Sequence, residues 1–350
     1  MCIFVGLDLG SKSNRFELSN ENGQGKKRGK LTWSEEEWRE LLEEYSGERV
    51  IVAFETCPEA YRAKRILEKM EIEYYPFHSK SFLSVWSSKK KTDRIDASKI
   101  RRALQAGSLP ERVHLPDDEE ALLRNLITQR ELFQKMLVQL CLQAKGMGRQ
   151  WGAVLPKYTR EEFESWWDKA IETLPGTCRP AAIRNHRVAL TLCQAMDELE
   201  EKIEHQVDRT QQGERVKSLM TVPGVGKVIA PAIIAYLGDA QRFPSARKFA
   251  SYVGLTPVVD QTGNREARLG HISKEGPSIL RRLFVQAARI AARSKQLEKT
   301  PLRKWHDRIM NRRGKKIATV SLARKLAEVC YAIIRDGTVW DPSRLRSTNP

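Results

Sequence analysis

The sequence predicts an α/β domain with a mixed sheet, then a helical coiled-coil arm, then a mostly α-helical C-terminal domain. Three observations predict it. Over residues 1–112, strand-like runs come first and then alternate with amphipathic helical stretches, the pattern of an α/β layer architecture. Residues 113–215 carry apolar residues at helical spacing over long stretches. Residues 216–350 are helical again, broken by Gly- and Pro-marked turns.

In the first domain, "CIFVGLDL" is a short β-rich run ending at a Gly–Ser turn, "NRFELS" a second strand, and "GKKRGKLTW" carries a third. "SEEEWRELLEEY" is an amphipathic helix with Ser34 as its cap and acids in the first turn. "RVIVAFE", residues 49–55, is apolar on both faces and hence a central strand. A helix over "CPEAYRAKRILEKM" with Pro58 near its first turn, a strand over "IEYYPF", and a helix over "TDRIDASKIRRALQAG" stopped by Gly107 complete it.

In the arm, Leu122, Leu126, Phe133, Met136, Leu137 and Leu140 recur at helical spacing, and "RNHRVALTLCQAMDELEEKIEHQVDR" follows after "LPGTCRPAA". Two such helices form an antiparallel hairpin or a dimerising coiled coil. In the last domain, "VPGVGK" is a Gly-rich turn between helices, and "TPVVDQTGNREARLGHISKEGP" is a polar loop.

Composition narrows the function. Among 350 residues, 61 Lys and Arg stand against 44 acidic residues, a net charge of +17, which favours a polyanionic partner. No apolar run approaches a membrane span, and the N-terminus has no signal-peptide pattern. The six cysteines are scattered without a CxxC pair, so no zinc site or disulfide framework is expected. A cytoplasmic, reduced protein is the expectation.

Four carboxylates carry the candidate chemistry. Asp8 ends the first strand, Glu55 ends the central strand, and Asp93 and Asp96, three apart on a helix, project to the same face. Carboxylates gathered at one point repel unless cations neutralise them, and hard oxygen ligands suit Mg²⁺ or Mn²⁺. Two such ions roughly 3.5–4 Å apart clamp a phosphodiester. Lys89, Lys90 and Lys91 beside them would hold the nucleic-acid backbone. Each residue alone has a plainer reading: Asp8 as a turn cap, Glu55 as a surface ion-pair partner, the aspartates as favourable charges at a helix start. "VGLDLGSKS" also looks like the phosphate loop of the sugar-kinase and actin ATPases, whose second phosphate loop and adenosine-binding glycine pair are not found here.

Residues 1–107 resemble the ribonuclease H-like domain of Holliday-junction resolvases. "TVPGVGKVIAPAIIAYLGD", "FPSARKFASYVGLTP" and "GHISKEGPSILRRLFVQAA" resemble the C-terminal domain of the DEDD transposases of the insertion-sequence one-ten family. The resemblance implies a DNA recombinase with Mg²⁺ held by Asp8, Glu55, Asp93 and Asp96. It also implies a noncoding bridge RNA that selects donor and target DNA, and dimers that pair into a tetramer. The family's nucleophile is a serine that bonds covalently to DNA. At the matching place this chain has Thr262, followed by Gly263; Ser273 is the alternative hydroxyl. "VPGVGK" is similar to the hairpin of a helix-hairpin-helix, with Gly224, Gly226 and Lys227 facing a phosphate. Lys274, Arg281 and Arg282 are further nucleic-acid contacts, holding backbone rather than reading sequence. Two other functions stay open: a metal-dependent junction nuclease in which water attacks, and a non-catalytic nucleic-acid-binding protein.

Overall fold

Strict alternation in β1 (Cys2–Asp8) sends Ile3, Val5 and Leu7 to one side of a sheet and Phe4, Gly6 and Asp8 to the other. The computed structural model describes residues 1–79, 82, 96–260 and 268–344. The chain divides into two units, Met1–Asp117 and Asp118–Pro350.

The first unit holds a five-stranded sheet in the order β3-β2-β1-β4-β5. β2 (Asn14–Asn20) pairs antiparallel with β1, and β3 (Lys27–Leu31) antiparallel with β2. β4 (Arg49–Glu55) runs parallel to β1, and β5 (Glu73–Phe77) parallel to β4. This mixed sheet is compatible with a ribonuclease H-like domain. One face buries Ile3, Val5, Leu7, Phe16, Leu18, Val52 and Phe54 beneath α1 (Glu35–Glu43) and α2 (Ala60–Lys69), whose Trp38, Leu41, Ile66 and Leu67 complete that core. Ser34 occupies the cap position of α1 as expected, but makes no side-chain bond to a helix amide. Glu37 instead reaches back to the amide and hydroxyl of Thr32, both at 2.7 Å.

The opposite face is covered by α3 (Ala97–Gln105). Gly107, at φ +62°, follows the helix as its expected stop. Its start differs from the expectation. The helix begins after Asp96, whose carboxylate accepts the Lys99 amide at 2.7 Å as the N-cap. Asp96 is therefore a cap and not a helical residue sharing a face with Asp93. An aspartate that can satisfy an orphan amide stabilises the helix end better there than inside the first turn.

The second unit opens with α4 (Asp118–Gln150), then α5 (Phe163–Thr173) and α6 (Arg179–Arg209). α4 and α6 run antiparallel, as the cross-contacts Glu119–Arg209, Arg130–Glu200 and Gln143–Asn185 require. The buried seam of α4 has another phase than the apolar count suggested: Leu123, Ile127, Leu137, Cys141 and Ala144 are inside, while Leu122 and Met136 are exposed. The middle of the seam belongs to Arg130 and Glu131, buried and ion-paired, which an apolar count passes over. α5 closes the far half of the hairpin with Trp166 and Trp167.

The rest is α7 (Gly213–Met220), α8 (Ile229–Leu237), α9 (Ala246–Tyr252), α10 (Ser278–Ala291), α11 (Pro301–Arg313) and α12 (Lys315–Asp336) around one apolar core. The segment expected to be a polar loop instead contains a two-stranded ladder, β6 (Pro257–Asp260) with β7 (Arg268–Ile272), antiparallel and irregular between Pro257 and Val259. Strands this short and this polar leave no alternation to read. Among the described residues no helix is long and apolar enough to cross a membrane.

Candidate active site and nucleic-acid contacts

The carboxylate cluster is built from strand register. β1 and β4 pair in parallel up to Leu7 opposite Phe54, so the next residues, Asp8 and Glu55, stand side by side where both strands end. Neighbouring strands lie about 4.8 Å apart. Both residues belong to the α3 face, since Gly6 and Ala53 behind them pack against α3. A Cβ on Gly6 would lie 2.2 Å from the Ala97 carbonyl oxygen and 2.5 Å from the Arg101 nitrogen. Only glycine lets the helix sit this close.

The direction of α3 follows from three contacts with the β2 side. Ser98 bonds Glu17 at 3.1 Å, Arg101 bonds Glu17 and Ser19 at 2.8 Å each, and Gln105 donates to the Glu21 carbonyl at 2.7 Å. The helix thus runs with β2 and against β1, and its first turn faces the ends of β1 and β4. Asp8, Glu55 and Asp96 are brought to one end of the sheet. Asp93 lies outside the described residues, as do Lys89, Lys90 and Lys91. Among the described residues no group of three or more acid, His or Cys side chains is placed to hold a metal ion. The donor chemistry, all hard carboxylate oxygens, fits Mg²⁺ or Mn²⁺.

Two residues of this face escape sequence reasoning. Glu17 is 1% exposed and held by Arg101, Ser98 and Arg28. Burial pushes its carboxyl up, but the bonds from Arg101, Ser98 and Arg28 and the Arg101 charge outweigh burial, so its pKa is lowered. A glutamate inside an apolar strand signals a buried partner, though not that the partner lies 84 positions away. Arg15 is the register partner of Asp8 and is exposed, a cation directly beside the site.

In the second unit the expected nucleic-acid residues divide. Gly224 has φ +85°, and a Cβ there would lie 2.2 Å from the Ala287 carbonyl oxygen, so the turn is seated on the backbone of α10. Gly226 and Lys227 remain exposed at this turn. Arg281 points inward, donating to the carbonyls of Val253 at 3.1 Å and Glu275 at 2.9 Å, and desolvation lowers its pKa. Arg282 is ion-paired with buried Glu131. Arg289 is exposed on α10, and Arg293 is exposed just past its end. Lys274 is exposed, in a left-handed conformation at φ +57°.

Thr262 lies outside the described residues, in the connection from β6 to β7. Ser273 stands at the opposite end of the ladder, its amide bonded to the Thr256 carbonyl and its hydroxyl accepting the Glu275 amide at 3.5 Å. The four residue steps from Thr256 to Asp260 span at most about 14 Å at ~3.4 Å per residue.

Two family descriptions match this architecture. A DEDD transposase model of the IS110 group matches residues 5–147, and the model described as transposase IS116/IS110/IS902 family matches residues 216–303. The chain belongs to this family of insertion-sequence transposases. Relatives extend the match to nearly the whole length. The transposase for insertion sequence element IS1328 of Yersinia enterocolitica is 25% identical, over 96% of this chain and 98% of its own. A probable family 20 transposase of Pseudomonas aeruginosa is 25% identical over 83% of this chain and 86% of its own. A pilin gene-inverting protein of Moraxella bovis is 24% identical over 76% and 73%. In this transposase-family chain the four carboxylates fall inside the first matched segment, and Gly224, Thr262, Ser273 and Arg282 inside the second.

Proposed function

We propose that this chain is a divalent-metal-dependent DNA recombinase of an insertion element, with Asp8, Glu55, Asp93 and Asp96 as metal ligands and the Thr262 hydroxyl as nucleophile. One observation supports it: the parallel register of β1 and β4 sets Asp8 beside Glu55 at the end of the sheet toward which α3, capped by Asp96, begins. A bound Mg²⁺ or Mn²⁺ would neutralise these carboxylates and polarise the scissile phosphate. Asp8 and Glu55 offer oxygens from strand ends, where the backbone is held by ladder bonds on both sides. Asp96 commits Oδ1 to the Lys99 amide, which leaves Oδ2 for a cation.

In this reading the Thr262 oxygen bonds to phosphorus as a DNA hydroxyl departs, and the phosphodiester energy is kept for rejoining. Ser273 is the less favoured nucleophile, since its hydroxyl serves the turn at Glu275. Lys89, Lys90, Lys91, Gly224, Gly226, Lys227 and Lys274 would hold nucleic-acid backbone. A noncoding guide RNA would select donor and target DNA, and the helical arm would join subunits into the dimer and tetramer of a synaptic complex. The presence of threonine in place of the family's serine favours a second reading, a metal-dependent junction nuclease in which water attacks.

The test is strand transfer by the full chain with its co-purified RNA and a plasmid carrying the element's junctions. Asp8→Asn and Glu55→Gln should reduce it by more than the roughly 10–100-fold that an outer-shell metal partner costs, with the fold intact by circular dichroism. Thr262→Ala should abolish a covalent protein–DNA adduct that Ser273→Ala retains. Cleavage undiminished in Thr262→Ala, with no adduct in wild type, would give the nuclease reading first place. A discrete RNA is expected; heterogeneous cellular RNA would remove the guide.

A further inference from the structure

The C-terminal end of α8 gathers two arginines that the recombinase reading does not use. Arg124, from α4, donates its Nε to the Ala235 carbonyl at 2.7 Å. Arg242, just after Gly238, donates Nη2 to the Tyr236 carbonyl at 3.1 Å. Consecutive carbonyls thus hold both guanidinium groups, where the negative end of the helix dipole favours cations. Aromatic rings cover their faces. Arg124 lies 4.9 Å from the centre of the Tyr236 ring, and Arg242 lies 4.5 Å from that of Phe243 and 5.1 Å from that of Tyr252.

Helix end and rings do not satisfy these groups. A π face attracts the charge but accepts no bond from N–H groups lying in the guanidinium plane. Arg242 Nε and Nη1 are buried without a hydrogen bond, and so is Arg124 Nη2, which has only the long ion-pair contact to Glu120 Oε2. Arg124 has one carboxylate nearby, Glu120 at 3.5 Å. Among the described residues Glu120 is the carboxylate set against these two cations, and guanidinium charge taken out of water is costly unless anions complete it. Burial lowers the Arg242 pKa; the Tyr252 hydroxyl opposes this in part, and the Arg124 charge adds to it. The site is not sealed: the side chains of Arg124 and Glu120 keep 16% and 17% exposure.

We propose that Arg124 and Arg242, fixed on the last carbonyls of α8, form a binding site for one phosphate group. Guanidinium donors suit a phosphate oxygen in geometry and charge, and the N–H groups of Arg242 Nε and Nη1, with Arg124 Nη2 beside them, match an oxyanion that accepts several bonds at once. The phosphate is either inorganic or one unit of a nucleic-acid backbone, and these sources separate by experiment. The assignment does not depend on the carboxylate cluster or on which hydroxyl attacks DNA.

The experiment uses the full chain. Inorganic phosphate is compared with chloride at matched ionic strength by thermal unfolding, and DNA affinity is measured across a salt series. A ligand that binds only the folded state raises the melting temperature. Phosphate should raise it above chloride in wild type, and Arg242→Met should lose that increment while Arg289→Gln keeps it. If Arg242→Met fails to fold, Arg124→Gln takes its place, since it leaves Arg242 and its ring stack intact. A backbone phosphate predicts that the slope of log affinity against log salt falls by about 0.9 in the variant, one phosphate's share. Free phosphate predicts the lost thermal increment with an unchanged slope. A thermal increment and a slope that are both the same in wild type and variant would overturn the site, as would a high-resolution structure grown in phosphate with only water at the three nitrogens.

Discussion

The two faces of the N-terminal sheet are built on different principles. Beneath α1 and α2 the contact is apolar throughout, from Val5, Leu7, Val52 and Phe54 to Trp38, Ile66 and Leu67. Such packing is spread over many groups, and volume-conserving swaps there cost under about 1.5 kcal/mol. Beneath α3 a smaller apolar cluster of Ala53, Phe77, Ile100 and Ala103 is joined by specific conditions: no side chain at Gly6, the buried pair Glu17–Arg101, and the cap at Asp96. The site residues lie on this second face. Spread-out packing gives a stable sheet, while a few polar contacts with one geometry fix where α3 begins, and so where Asp96 stands relative to Asp8 and Glu55.

The largest break in this contrast should come from Arg101→Met. Among the described residues it leaves Glu17, whose side chain is 2% exposed, with Ser98 and the exposed Arg28. Removing one partner of a buried pair costs about 3–5 kcal/mol, whereas replacing both with apolar residues is often neutral. Chemical denaturation should therefore show the single variant far less stable than the double variant Glu17→Met/Arg101→Met. Acid distinguishes them further. The Glu17 pKa is lowered in the folded state, so the pair contributes fully above the ordinary glutamate value of about 4.3 and loses its contribution as pH falls through the depressed value. The margin of wild type over the double variant should shrink on acidification. A margin that stays constant would mean that Glu17 does not titrate through its arginine.

A smaller effect is expected from Gly6→Ala. The new methyl meets backbone atoms of Ala97 and Arg101, which cannot rotate away. Overpacking of this kind costs about 1–3 kcal/mol. More informative than the stability loss is its coupling to function: α3 must move off the sheet, so strand transfer should fall further than the melting temperature indicates. Unchanged transfer would show that the helix tolerates displacement and that its position does not set the site.

The apolar face was legible in the sequence, and this one only in part. "RVIVAFE" announces a central strand because nearly every position is apolar, and the strand ends at Asp8 and Glu55 follow from the same runs. The start of α3 was misplaced because Thr92, Asp93 and Asp96 are all good cap residues, and only the depth at which the helix meets Gly6 chooses among them. The Glu17–Arg101 pair joins residues 84 positions apart, beyond any local pattern. In the second unit, charge predicted exposed arginines on α10. Which of them are consumed inside the chain, as Arg281 and Arg282 are, depends on tertiary partners such as Glu131 and the Val253 carbonyl.

The smallest stability effect belongs to Asp96, and it separates the two roles this residue holds. As a cap, aspartate and serine are nearly equivalent, and alanine costs about 0.5–2 kcal/mol. As a metal ligand, serine lacks the charge and the second oxygen that a hard divalent cation takes from a carboxylate. Asp96→Ser should then keep the melting temperature close to wild type while strand transfer is lost, and Asp96→Ala should lose both. If Asp96→Ser remains active, the carboxylate only holds the start of α3. The cluster would then shrink to Asp8 and Glu55 at the strand ends together with Asp93, and the cations that "KKKTDRID" sets beside its acids would be read as a helix-start pattern rather than as half of an active site.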